Sequence, residues 1–191
     1  DLMPSDVIGT YVVMETPQGR RTFEFHKGPL FGNLVLADQV NRAMPRTQAA
    51  MLEAMEEDSV TVGTESFPLP RPFLLVATQN PAESEGTYPL PSAQLDRFFF
   101  KLVLEPPGAD EMDQVLERSV AAERTPMRKL VDCRRLVEMS ELARRVAVPG
   151  EVRRAATALV AATHPQAAGA PEEVRRYVRF GASPRAATSW R

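Results

Sequence analysis

Two short apolar runs, LVLA at 34–37 and FLLVAT at 73–78, constrain this chain more than any other feature. Both are continuous rather than alternating, as in strands buried on both faces of a sheet that helices cover. Between them lies "TQAAMLEAMEED", in which Ala50, Met51, Ala54 and Met55 recur at helical spacing and Glu53, Glu56, Glu57 and Asp58 fall elsewhere. That is an amphipathic helix. Strand, helix, strand is a βαβ crossover. A third strand is expected over 98–104, "FFFKLVL". Three such strands read as the back half of a doubly wound parallel sheet.

Two stretches carry a different period. "YVVMETPQGRRTFEF" predicts a β-hairpin turning at Pro17-Gln18-Gly19, and "SVTVGTESFPLPRPF" predicts another around Gly63, inserted before the second run. Pro106, Pro107 and Gly108 then forbid continued strand or helix and mark a boundary. Beyond it the pattern is helical over about 110–125, 132–146, 149–164 and 171–178, with "HPQAAGAP" as a loop. The expectation is an α/β piece over 1–105 followed by an all-α piece over 108–191.

Bulk properties narrow the function. A net charge of -2 argues against a surface built for nucleic acid, which needs clustered excess Lys and Arg. No apolar run approaches the ~20 residues that span a bilayer, and no leader pattern is visible. Cys133 is the only cysteine, so no intrachain disulfide can form. With these features a cytoplasmic location is expected. Cys133 is expected to be a partly buried, inert thiol in a helical pattern. His26 and His164 lack Cys or carboxylate neighbours at ligand spacing, so no metal is expected there. Met44, Met51 and Met55 read as core, and Trp190 as packing or a frayed end.

Open α/β sheets bind ligands at the C-terminal ends of their strands. The first run ends at Asp38, followed by Gln39; the second leads through "ATQN" to Asn80. "LPSAQLDRFFF" places Asp96 and Arg97 before the third run, and "FGASPRAA" places Arg185 at the start of the final helix. An acid, an amide and two arginines suit a triphosphate with its magnesium: the acid for the metal, the amide for the attacking water, the arginines for developing charge. Ordinary roles compete. Asp38 can cap a helix, Asn80 can shape the turn before Pro81, and Arg97 can pair with Asp96 or a surface carboxylate. Arg185 is less easily explained that way, because a cation at a helix start opposes the macrodipole and calls for an anion. Arg42 and Arg46 read equally well as subunit contacts or as solvated charges.

Three segments, "GPLFGNLVLADQVNRAMPRTQAAMLEAMEE", "FLLVATQNPAESEGTYPLPSAQLDRFFF" and "RYVRFGASPRAA", resemble the MoxR family of AAA+ ATPases. The resemblance implies the C-terminal part of a P-loop αβα core followed by a helical lid. It also implies ATP and Mg²⁺ as cofactors, assembly into nucleotide-bridged rings that are commonly hexamers, and chaperone-like work on a protein client. A partner with a von Willebrand factor A domain is a frequent companion. By position, Asp38 matches the Walker B aspartate, acting on Mg²⁺ through water, and Gln39 the Walker B glutamate. Asn80 matches sensor 1, and Arg97 the arginine finger that reaches the neighbouring subunit. Arg185 matches sensor 2 on the lid, facing the subunit's own nucleotide. The two hairpins match the helix-2 and pre-sensor-1 insertions.

The sequence departs from that pattern twice. No G-x-x-x-x-G-K-[S/T] loop, the main phosphate cradle, occurs in the 191 residues. The expectation is that an N-terminal portion is absent from this chain, which by itself then binds ATP poorly. Second, Gln39 cannot accept a proton, and loss of a general base costs ~10² to 10⁴ in rate. Slow turnover with retained binding is expected. A natural slow switch and a substitution introduced to hold the ATP state are both consistent with this. Glu83 or Glu85 could supply a base instead. Two other functions fit the same motifs: a non-hydrolysing AAA+ scaffold or assembly subunit lending Arg97 to a competent neighbour, and a magnesium-chelatase-like motor.

Overall fold

A computed structural model describes residues 2–17, 19–81, 86–121 and 127–188. Glu83, Glu85 and Trp190 lie outside the described residues. The chain opens with a short helix α1 (Pro4–Ile8) and an antiparallel hairpin, β1 (Gly9–Glu15) and β2 (Arg21–Lys27). Next come β3 (Leu34–Ala37) and α2 (Pro45–Glu57), then a second hairpin of β4 (Ser59–Val62) and β5 (Glu65–Pro68), then β6 (Leu74–Ala77). β3 and β6 pair in parallel with Leu34 opposite Leu74 and Ala37 opposite Ala77. The crossover and both expected hairpins are therefore present. The one-turn helix α3 (Ser92–Leu95) closes this part.

Helix α2 begins with Pro45 in its first turn, where a missing N–H costs nothing. Its inner face, Thr47, Ala50, Met51 and Ala54, follows the 3.6-residue period and is buried. That face packs under the sheet with Leu75, Val40 and Leu30, and with Val60 from the second hairpin, which is fully buried. Leu69 and Leu90 belong to the same cluster. Met51 is core and Met55 packs against it, as expected.

The hairpins share an aromatic joint. Phe25 of β2 stacks on Phe67 of β5 with centroids 4.4 Å apart, and Tyr11 and Phe31 flank Phe25. The Tyr11 hydroxyl donates to Glu65 Oε2 at 2.5 Å, and this bond pushes the phenol's pKa up.

Two expectations about the sheet fail. Only one face of the β3–β6 pair is covered: Leu34 and Leu36 are 69% and 65% exposed, and Leu74 and Val76 point the same way. The run at 98–104 forms no strand, and Leu104 is 90% exposed. An apolar run becomes a strand only when a neighbouring strand satisfies its backbone groups, and among the described residues no strand pairs with 98–104.

The helical part carries its expected helices, α4 (Ala109–Ala121), α5 (Cys133–Arg144), α6 (Gly150–Ala162) and α7 (Glu172–Tyr177), then α8 (Pro184–Thr188); the expected end of the first, at 122–125, lies outside the described residues. Asp132 caps α5 by accepting from the Arg135 N–H at 2.8 Å. Cys133, expected to be partly buried, is exposed at the first turn of that helix. Among the described residues no helix is long and apolar enough to cross a membrane.

Candidate functional site

The parallel register continues one step past the strands, so that Asp38 faces Thr78. Thr78 holds the turn together. Its hydroxyl donates to Asp38 Oδ1 at 2.6 Å and accepts from the Gln39 N–H at 2.9 Å. Its carbonyl accepts from the Val40 N–H at 3.0 Å, and its own N–H donates to the Ala37 carbonyl at 3.0 Å. These bonds hold Gln39 in the left-handed region (φ 52°, ψ 51°), a conformation costing a non-glycine residue ~1 kcal/mol or more. The Gln39 side chain is held as well: Arg42 Nη1 donates to its Oε1 at 3.2 Å.

Asn80 stands two residues beyond Thr78. Its carbonyl accepts from Asn41 Nδ2 at 3.4 Å, which ties it to the turn after β3. Asp38, Gln39 and Asn80 thus gather at the C-terminal ends of two adjacent parallel strands.

Arg97 and Arg185 form a second group at the far end of α2. Glu56 accepts from both: Oε2 meets Arg97 Nη1 at 2.5 Å, and Oε1 meets Arg185 Nη2 at 2.7 Å. Asp96 Oδ2 accepts from Arg185 Nη1 at 3.2 Å and from the Ser183 hydroxyl at 2.6 Å. The Ser183 bond, with Arg185 beside it, holds the Asp96 carboxyl below its ordinary pKa against an opposing effect of burial. The same carboxylates raise the pKa of Arg185, which is charged at any relevant pH.

The "GASPR" turn is fixed from α6. The Ala182 N–H donates to Thr163 Oγ1 at 2.9 Å, and a side chain at Gly181 would meet the His164 ring at 2.5 Å. A glycine is therefore required where this turn crosses His164.

The sequence-predicted residues thus fall into two groups, one at the ends of β3 and β6 and one at the far end of α2. Sequence reasoning missed Thr78, Gln48, Asn41 and Glu56. Thr78 was accessible in principle, because the parallel register pairs it with Asp38. Glu56 had no local signal beyond lying on the polar side of α2.

The donor set at the strand ends can be compared with Mg²⁺, which keeps several waters and takes one or two carboxylates. Asp38, with the Thr78 hydroxyl beside it, fits that demand. The backbone cradle for the remaining phosphates does not occur within these 191 residues.

Residues 1–100 match the model of the ATPase family associated with various cellular activities (AAA). Chaperone MoxR1 of Mycobacterium tuberculosis is 39% identical over 186 residues, covering 97% of this chain and 48% of that protein. YeaC of Bacillus subtilis, an uncharacterised protein, is 53% identical over 116 residues, 61% of this chain and 35% of that protein. A crystal structure described as that of a putative ATPase from Cytophaga hutchinsonii superposes with a TM-score of 0.83 at 38% identity, covering 99% of this chain and 57% of that one. The chain spans about half the length of MoxR1. With strand ends and helical part both matched, the chain belongs to the MoxR family of AAA+ ATPases.

Proposed function

We propose that the protein is a chaperone-like ATPase that remodels or matures a partner protein, turning over slowly because Gln39 stands at the Walker B glutamate position. The observation that carries this reading is the pairing of Asp38 with Thr78 across adjacent parallel strand ends, with Asn80 two residues on. Mg²⁺ and ATP are the cofactors the family uses; when bound, the metal neutralises charge on the phosphates.

This chain's own residues have separable tasks. Asp38 would hold a bound Mg²⁺ through water. Asn80 donates its side-chain amide toward the terminal phosphate. Gln39 cannot take the proton of the attacking water, because an amide has no basic site, and its carbonyl oxygen accepts from Arg42. Arg97 reaches into the neighbouring subunit's site, and Arg185, on the lid, faces its own subunit's nucleotide; within the chain both are anchored on the Glu56 carboxylate. A ring, commonly a hexamer, supplies that neighbour. Action in the cytoplasm beside a von Willebrand factor A domain protein completes the reading.

The test is phosphate release by the complete protein, with and without Gln39→Glu. Slow turnover rising by ~10² or more in the variant is expected. No gain would overturn the account of the slow step. The engaged Gln39 amide also favours a second reading, a non-hydrolysing scaffold subunit. Substantial turnover with Gln39 in place defeats that one.

A further inference from the structure

We propose that Gln48 is a positioning residue that locks Asn80 in register with Asp38, so that the site distinguishes ATP from ADP. This inference rests on the ATPase reading above.

Gln48 lies in the first turn of α2 and is only 2% exposed. Its Nε2 donates to three backbone carbonyls: Val40 at 3.1 Å, Ala43 at 3.1 Å and Tyr88 at 2.9 Å. Two of these belong to the turn that follows Asp38 and Gln39. The third belongs to the segment that leaves the sheet at Asn80. One amide, with two hydrogens for three acceptors, therefore joins the loops after both strands. A buried amide is costly unless bonded, and this one is spent wholly on backbone that carries the site.

Asn41 makes the same connection from the other side. Its carbonyl accepts from the Tyr88 N–H at 2.6 Å, and its Nδ2 reaches the Asn80 carbonyl at 3.4 Å. Its Oδ1 is buried without a hydrogen-bond partner among the described residues. Packing alone does not explain an amide kept half-satisfied; a link to Asn80 does. Gln48 thus braces the turn that carries Asn41, and Asn41 in turn holds both Asn80 and Tyr88. Asn80 can read a terminal phosphate only if its height above the sheet is fixed relative to Asp38, and these bonds fix it.

The choice of glutamine follows from this chemistry. A glutamate would turn an acceptor toward three acceptors. A methionine keeps the length and fills the space but brings no donor. The experiment uses Gln48→Met in the complete protein, with ATP and ADP affinities measured by calorimetry in the presence of Mg²⁺, and with folding monitored by circular dichroism. The expected result is a folded variant that holds ADP within about twofold of the parent while its preference for ATP over ADP falls about tenfold, the usual scale for residues that orient a site. A general structural defect would lower both affinities together and leave their ratio unchanged, and that outcome overturns the proposal. If Gln48→Met does not fold, Asn41→Ser removes the Asn80 link with less disturbance; its ratio must fall in the same direction, and an unchanged ratio overturns the proposal. A parent protein that binds both nucleotides equally also overturns it. A complete parent protein that binds neither overturns the ATPase reading itself.

Discussion

Glu56 and Arg185 stand 129 positions apart in the chain and meet at 2.7 Å, tying the last helix of the helical part to the crossover helix of the sheet. Arg97 uses the other oxygen of the same carboxylate. The groups are largely exposed, so salt screens the pairs and they add little to stability. For Glu56→Gln we expect a small drop in melting temperature at low salt. The gap between parent and variant should close near 1 M salt, where the screening length is ~3 Å. A gap independent of salt would mean that the contact is not electrostatic.

The Asp96 cluster carries a pH dependence of definite sign. Its carboxyl is held below the ordinary value, first by the Ser183 hydroxyl and then by Arg185. The folded state therefore binds this proton less readily than the unfolded chain. The resulting stability is complete above the unfolded value of ~3.9 and is lost as pH falls through the lowered one. Ser183→Ala removes the larger cause, so the Asp96 carboxyl should titrate at higher pH by carbon-detected NMR. The acid-unfolding midpoint should move the same way. An unmoved titration would mean that Arg185 alone sets the carboxyl.

Gly9 joins α1 to β1 at φ +111°, and a Cβ there would lie 2.1 Å from the His26 carbonyl oxygen. Backbone cannot yield as a side-chain tip can, so Gly9→Ala should cost about 3 kcal/mol or more in chemical denaturation. Gly63, at the tip of the β4–β5 hairpin, also has positive φ, at +62°, but open space around it. Gly63→Ala should cost only the ~1–2 kcal/mol of the left-handed conformation itself. Equal losses at the two positions would contradict the steric account.

Local chemistry explains which parts were legible in the sequence. Helix α2 and both hairpins announce themselves through period and turn residues, signals contained within a dozen positions. The segment 98–104 has the composition of a strand but forms none, because strand formation is decided by a partner and not by the run itself. Asp38, Asn80, Arg97 and Arg185 stood out because each sits in a distinctive motif. Their division into two groups did not, since it depends on Glu56, an unremarkable acid on the polar side of a helix. Thr78, Gln48 and Asn41 were hidden for a related reason: their roles lie in bonds to groups 5 to 40 positions away.

Thr78 offers the sharpest separation of site from scaffold. Its hydroxyl both donates to Asp38 Oδ1 and accepts from the Gln39 N–H. Thr78→Val keeps the shape and removes both bonds; Thr78→Ser keeps both bonds and removes a methyl group. Asp38 is exposed, so water can replace the lost donor, and the stability cost should stay near 1 kcal/mol. The carboxylate, however, loses the contact that orients it, and the left-handed turn at Gln39 loses one of its restraints. In the complete protein the Mg²⁺ concentration giving half-maximal ATP binding should rise about tenfold for Thr78→Val, as when a group orienting a metal ligand is removed. It should stay within about twofold for Thr78→Ser. An equal rise in both variants would trace the effect to the methyl group's packing and remove Thr78 from the site.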